Sequence, residues 1–262
     1  VTKAIVIIPT YNERDNIQPI IEAVFSLPVD FHILIVDDSS PDGTSEIVQD
    51  LQDLYNKNET RLHLLKRQGK LGLGTAYIAG FHYAIQKNYE YILEMDADFS
   101  HDPKDLVRLY NACAREGADL SIGSRYATGV NVVNWPIGRV LISYFASSYV
   151  RTITSMPIKD TTAGFVCYKR KVLETIPLDG IKFIGYAFQI EMKFLAWKYG
   201  FKLKEVPIIF TDRTRGVSKM SAGIFKEAFF GVLYMTINSW FKKYIPVYKE
   251  SPALTEALQQ RC

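Results

Sequence analysis

Over residues 1–125, short runs of Ile, Val and Leu alternate with stretches in which apolar positions return every three or four residues. The runs at 3–8, 32–36, 62–66, 91–95 and 119–123 predict strands, and the stretches at 16–27, 44–55, 75–87 and 103–115 predict helices. Strands that are apolar throughout must be covered on both faces, and strand–helix alternation supplies that cover through crossover helices. The expected fold class is therefore α/β, with a mainly parallel central sheet flanked by helices. In such a sheet, ligands gather beyond the carboxyl ends of the strands.

The second half is less regular. Residues 135–153 place Ile137, Val140, Leu141, Tyr144, Phe145 and Tyr149 at helical spacing. Residues 165–168 and 201–210 predict strands, and 187–199 a helix. A strongly apolar stretch at 225–241 closes on Lys242-Lys243-Tyr244. After Ile245-Pro246 the chain reads as an appendage, which divides it into a domain at 1–241 and a tail at 242–262. No internal repeat is present.

Polar residues concentrate where the first-half strands end. Pro9-Thr10-Tyr11-Asn12-Glu13 follows the first strand, Asp37-Asp38-Ser39-Ser40-Pro41-Asp42-Gly43-Thr44 the second, and Asp96-Ala97-Asp98-Phe99-Ser100 the fourth. Asp42 and Asp102 suit helix N-caps. Asp96 and Asp98 are different: separated by one residue, they point to one side of an extended chain, where two like charges need a cation between them. Carboxylate oxygens suit Mg²⁺ or Mn²⁺, which leave coordination positions open for substrate phosphates. Gly72-x-Gly74 lacks the third glycine of a dinucleotide fingerprint and follows the third strand, so a tight turn with close helix packing is the better reading.

Composition sets outer limits. With 262 residues, 48% hydrophobic and 23% charged, the chain is long enough for one large core and too apolar for a disordered class. Cys113, Cys167 and Cys262 form no C-x-x-C, so neither a disulfide framework nor a thiolate zinc site is expected. The start at Val1-Thr2-Lys3 shows no signal peptide, and no run of about 18 clean apolar residues exists to span a bilayer. The net charge of +3 conceals an asymmetry: residues 1–100 carry 8 basic and 15 acidic side chains, residues 193–249 carry 11 and 3. An acidic half suits a metal, and a basic half suits phosphates or an anionic lipid surface rather than nucleic acid.

Taken together, Pro9–Glu13, Asp37–Thr44 and Asp96–Asp98 resemble the signature of glycosyltransferase family 2 on a GT-A, Rossmann-like nucleotide-sugar fold. Gly72–Tyr77, Gly123-Ser124-Arg125-Tyr126, Trp135…Arg139…Ser143, Asp160–Phe165 and Arg213…Gly216…Ser218-Lys219 narrow the resemblance to dolichyl- and polyprenyl-phosphate mannose synthases. It implies Pro9, Tyr11, Glu13, Val36 and Asp38 as nucleotide contacts, with Asp96, Ala97 and Asp98 holding the diphosphate and its metal. Some relatives carry Gln as a further metal ligand where this chain has Ser100, whose hydroxyl can coordinate directly or through water. Arg125, Arg139, Ser143, Arg213 and Lys219 are implied as phosphate-binding and catalytic groups alongside Asp98.

The implied reaction moves mannose from GDP-mannose to a dolichyl or polyprenyl phosphate, with inversion, giving a β-mannosyl phosphate and GDP. A phosphate monoester has a second pKa of about 6, so it needs no protein base; Asp160 and Glu191 are expected to shape the pocket and its loops. Arg139 and Ser143, four apart, share one helix face, with Ile137, Val140, Leu141 and Phe145 opposite. Aromatic stretches at 135–149 and 225–244, the second also carrying lysines and including an interfacial helix at about 220–241, point to peripheral contact with the cytoplasmic face of a membrane, directly or through an anchoring subunit. Transfer from UDP-glucose, and a non-catalytic nucleotide-sugar-binding protein, are the alternatives.

Overall fold

The computed structural model describes residues 4–185, 187–212 and 222–245, with the side chains of 222–228 outside the description. The first half runs β1 (Ala4–Thr10), α1 (Arg14–Phe25), β2 (His32–Asp37), α2 (Thr44–Tyr55), β3 (Leu62–Lys66), α3 (Leu73–Gln86), β4 (Tyr91–Glu94), α4 (Asp105–Ala114) and β5 (Leu120–Ser124). Then follow β6 (Val132–Val133), α5 (Ile137–Thr154), β7 (Val166–Lys169), α6 (Arg170–Thr175), a 3₁₀ turn at Leu178–Gly180, α7 (Phe188–Lys198), β8 (Leu203–Pro207), β9 (Phe210–Thr211) and α8 (Ala222–Trp240).

Seven strands form one sheet in the order β3-β2-β1-β4-β7-β5-β8. Alternate β1 residues feed two cores: Ile5 and Ile7 pack with α3 and α7, Val6 and Ile8 with α1, α2 and α4. Period-two alternation thus sorts an unbroken apolar run onto two covered faces. Gly80 of α3 sits where a Cβ would meet Ile7, so the helix lies tight on the sheet.

The mainly parallel α/β expectation holds, with one reversal. β7 is antiparallel to both β4 and β5. A strand covered on both faces is apolar whichever way it runs, so its pattern carries no direction. The predicted strand at 201–210 is broken into β8 and β9, the latter pairing with β6 in a separate ribbon. Strands of two residues are too short to show a period.

Helices α5 and α8 lie against each other with their polarity inverted. α5 buries Ser147, Val150 and Thr154 and exposes Ile137, Leu141, Ile142, Tyr144 and Phe145, Ile137 to 79%. α8 buries Val232, Thr236 and Ser239 and exposes Phe229, Phe230, Tyr234, Ile237 and Trp240. The Tyr149 ring stacks on Phe229 at 4.7 Å, and its hydroxyl donates to the Phe229 carbonyl at 3.0 Å. No described helix is long and apolar enough to cross a membrane. At Gly231 a Cβ would collide with the Phe183 ring, so α8 is seated directly on the 181–185 loop.

Candidate active site

A cleft of about 590 Å³ opens at the carboxyl ends of β1, β2 and β4, within the size range of small-molecule sites. Each of these strands turns into its helix through a non-glycine residue in the left-handed region: Asn12 at φ 58°, Ser39 at 54° and Phe99 at 58°. Asn accepts that conformation readily, an aromatic residue does not, and such strain clusters at functional sites. The strained turns lie within all three polar clusters read from the sequence.

Asp37 is fully buried and receives four donors: Thr10 Oγ1 at 2.8 Å, Ser40 N at 2.9 Å, Ser40 Oγ at 2.6 Å and Ser45 Oγ at 2.8 Å. It therefore ties the ends of β1 and β2 together. Asp38 reaches the cleft, where Arg67 Nε and Nη2 both donate to its Oδ1 at 2.6 Å and the Leu71 amide donates to Oδ2 at 3.2 Å. Arg67 continues to Thr75 Oγ1 at 2.8 Å, so one guanidinium links Asp38 to the start of α3. Pro9, Tyr11 and Glu13 line the same corner, and the Lys70 ammonium sits 4.8 Å above the Tyr11 ring. Val36 is placed elsewhere: it is a core residue of β2 and is not part of the cleft lining, as its position inside a doubly covered strand requires. Asp42 and Asp102 fall short of the N-cap positions, which are Gly43 and Lys104; each lies in the preceding turn and accepts the amide two residues on, Thr44 at 3.1 Å and Lys104 at 2.9 Å.

Asp96, Ala97, Asp98 and Ser100 line the cleft beside this corner. Tyr77 Oη donates to Asp96 Oδ1 at 3.4 Å, and the Ser100 amide to Asp98 Oδ1 at 3.1 Å. The Ser100 hydroxyl is buried without a hydrogen-bond partner among the described residues. Two carboxylates and an orphaned hydroxyl form a hard-oxygen donor set that fits Mg²⁺ or Mn²⁺ with substrate oxygens and water completing the shell. The next residue, His101, stacks on Phe165 at 4.6 Å, and burial pushes its imidazole down to about 4, which keeps it neutral.

The same cleft carries basic groups. Asp160 accepts the Arg125 amide at 2.9 Å, Nε at 2.8 Å and Nη2 at 2.7 Å, while Nη2 also reaches Thr162 Oγ1 at 2.8 Å. Burial alone would raise the Asp160 carboxyl, but the Arg125 charge and these hydrogen bonds outweigh it and hold it below the usual carboxylate range. Arg139 lies 4.1 Å over the Trp135 ring and pairs with Asp212 at 2.8 Å. Ser143 Oγ receives Tyr126 Oη at 2.8 Å. Arg213 and Lys219 lie outside the described residues.

Glu191 is not a cleft group. Its Oε2 accepts the Lys182 and Phe183 amides at 2.9 and 3.1 Å, which anchors the 181–185 loop. That loop supplies Ile184 and Gly185 to the cleft, and the Ile184 carbonyl receives the Gly74 amide at 2.9 Å. The cleft thus gathers the two acidic clusters, Arg125, Arg139 and Ser143 as expected. It adds Lys70, His101, Thr162 and Gln189, with Arg67 close behind Asp38. Lys70 and Arg67 carry a readable signal, being cations just after β3; Gln189 sits in an apolar helical stripe and carries none.

The model of Glycosyl transferase family 2 matches residues 5–176. Polyprenol monophosphomannose synthase of Mycolicibacterium smegmatis is 46% identical over 230 residues, covering 88% of this chain and 85% of that protein. Undecaprenyl-phosphate mannosyltransferase of Micrococcus luteus is 42% identical over 226 residues, covering 86% and 90%. Among solved structures, glucosyl-3-phosphoglycerate synthase from Mycobacterium tuberculosis, with Mn²⁺, UDP and glucosyl-3-phosphoglycerate, matches with a TM-score of 0.63 at 14% identity, covering 90% of this chain and 79% of that one. A mannosyltransferase from Pyrobaculum calidifontis, in complex with GDP-Man and Mn²⁺, matches with a TM-score of 0.59 at 16% identity, covering 93% and 66%. At these identities the structural likeness speaks for a shared GT-A fold.

Proposed function

Because the chain belongs to glycosyltransferase family 2, we propose that it transfers mannose from GDP-mannose to a polyprenyl phosphate, releasing GDP and a β-mannosyl phosphate lipid. The observation that carries this reading is that an acidic pair, Asp96 and Asp98, lines one cleft together with Arg125, Arg139 and Ser143. The names of the two bacterial relatives support the mannosyl and polyprenyl-phosphate assignments.

The nucleoside lies against Pro9, Tyr11, Glu13 and the Arg67-braced Asp38. Asp96 and Asp98 would hold Mg²⁺ or Mn²⁺, which would supply Lewis-acid neutralisation of the departing diphosphate. Arg125, fixed by Asp160, and Arg139, resting on Trp135, form the wall that receives the acceptor phosphate. A phosphate oxygen forms the new bond to C1 of the sugar as the bond from C1 to the GDP oxygen breaks, so attack and departure lie on opposite faces and the configuration inverts. No proton has to be removed, in keeping with the other duties of Asp160 and Glu191. Positioning and charge stabilisation carry the rate.

The acceptor's tail has to reach the cleft from a lipid phase. The exposed residues of α5 and α8 supply an apolar surface with Lys242 and Lys243 at its end, suited to peripheral contact with a bilayer. Incubation with labelled GDP-mannose, Mg²⁺ or Mn²⁺ and a short polyprenyl phosphate should move label into organic solvent. Label moving only from UDP-glucose would reassign the donor, and no transfer to any polyprenyl phosphate would defeat the proposal. Co-sedimentation with anionic vesicles tests the surface; binding only in the presence of a membrane subunit would make that subunit its occupant.

A further inference from the structure

Beneath the cleft lies a buried chain of three side chains to which the reaction above gives no task. Gln189, on α7, lines the cleft and is 3% exposed. Its Nε2 donates to Glu94 Oε2 at 3.0 Å, and its Oε1 faces Lys193 Nζ at 3.5 Å. Lys193 is fully buried and also donates to the carbonyls of Ala163 at 2.5 Å and Gln189 at 2.9 Å. Glu94, two residues before Asp96, receives Tyr168 Oη at 3.5 Å as well.

The arrangement has a specific effect. The two ends of a glutamine amide have the same shape and opposite hydrogen-bonding character, so packing alone leaves its orientation open. The Lys193 amine beyond the oxygen and a Glu94 oxygen beyond the nitrogen close that choice. Burying a glutamate and a lysine side chain is a poor source of stability compared with apolar filling, so their presence here asks for another role.

The donor's sugar has to lie between the acidic pair that holds the diphosphate and the arginine wall that holds the acceptor. Ala163, Gly164 and Gln189 line the cleft together with both. Resting on the nucleotide-sugar reading above, we propose that Gln189 is a donor-sugar contact, and that Glu94 and Lys193 are positioning residues that lock its amide so that its second N–H donates to one hexose hydroxyl. A locked donor discriminates between hexoses that differ at one carbon, because the wrong sugar leaves a buried N–H unpaired.

The test compares binding of GDP and of GDP-mannose by calorimetry, and the competition between GDP-mannose and GDP-glucose in product formation. Gln189→Ala should weaken GDP-mannose about tenfold, leave GDP affinity unchanged and cut the mannose preference about tenfold, as loss of one such hydrogen bond predicts. Glu94→Met, which frees the amide, should shift the same ratio part of the way, and Glu94→Gln, which still offers an oxygen, should restore it. Where the single substitution prevents folding, Glu94→Met with Lys193→Met removes both polar groups together and should show the same shift. A folded Gln189→Ala protein with unchanged sugar preference, or with GDP and GDP-mannose weakened equally, would overturn the assignment. A wild-type protein that binds no nucleotide sugar would instead defeat the reading on which it rests.

Discussion

Replacing Asp160 by Asn removes the charge from a carboxylate that is 0% exposed, facing an Arg125 side chain that is 4% exposed. Three of its hydrogen bonds go to Arg125, one from the backbone and two from the guanidinium. Breaking one side of a buried pair costs roughly 3–5 kcal/mol, and since Asn retains one acceptor oxygen, the low end, about 3 kcal/mol, is expected. At an unfolding entropy of roughly 2.1 cal/mol/K per residue, a chain of this length loses on the order of 2 °C per kcal/mol, so Tm should fall by about 6 °C. The native carboxyl ionises below its unfolded counterpart. Its contribution is therefore complete above the unfolded value and disappears as pH falls through the lower native one, a dependence the variant should lack. Calorimetry across pH measures both effects. Kinetically, Arg125 loses its brace, so KM for the acceptor should rise while turnover at saturating acceptor stays within about tenfold. An Asp160→Asn protein with unchanged Tm and unchanged acceptor KM, yet with turnover reduced more than a thousandfold, would make Asp160 a general base and refute the reasoning.

Glu191→Gln keeps an acceptor for the Lys182 and Phe183 amides, so turnover should stay within about tenfold of wild type; intact donor binding with turnover lost by several orders of magnitude would end the base-free mechanism. Asp96→Ala with Asp98→Ala should abolish Mn²⁺ binding in a titration and lower turnover at least a thousandfold with little change in Tm, because both carboxylates face the cleft. His63 is pushed down to about 4 by burial, with His32 and Lys87 adding to the effect. The unfolded chain thus binds a proton near 6.5 that the native one refuses until about 4, so stability should climb with pH across that window and level off above it, and His63→Phe should flatten the climb in Tm. Asp212→Asn frees Arg139 from its carboxylate partner at 2.8 Å and should tighten acceptor binding several-fold; a weaker KM would instead mean that Asp212 orients the arginine.

The parallel half of the sheet was legible because continuously apolar strands and amphipathic helices alternate there, and the acidic clusters fell at strand ends, where some of their side chains brace the turns and others line the cleft. Where a strand is covered on both faces, as at β7, hydrophobicity records burial and not direction. Val36 shows the same limit from the other side: adjacency to Asp37 and Asp38 in sequence does not bring a residue of a doubly covered strand to the cleft. Gln189 and Lys193 were hidden for the opposite reason. A polar residue within the helix 188–198 reads as surface, and only the tertiary placement of Glu94 and Ala163 gives the Gln189 amide and the Lys193 ammonium their partners.

The missing side chain at Gly231 has a consequence for how the two halves of the reaction communicate. Helix α8 reaches the loop that lines the cleft through Phe183, whose neighbour Ile184 is bonded to the start of α3. Even one methyl group added at Gly231 would press on the loop that supplies Ile184 and Gly185 to the cleft, so change in this outer helix is not free to proceed independently of the site.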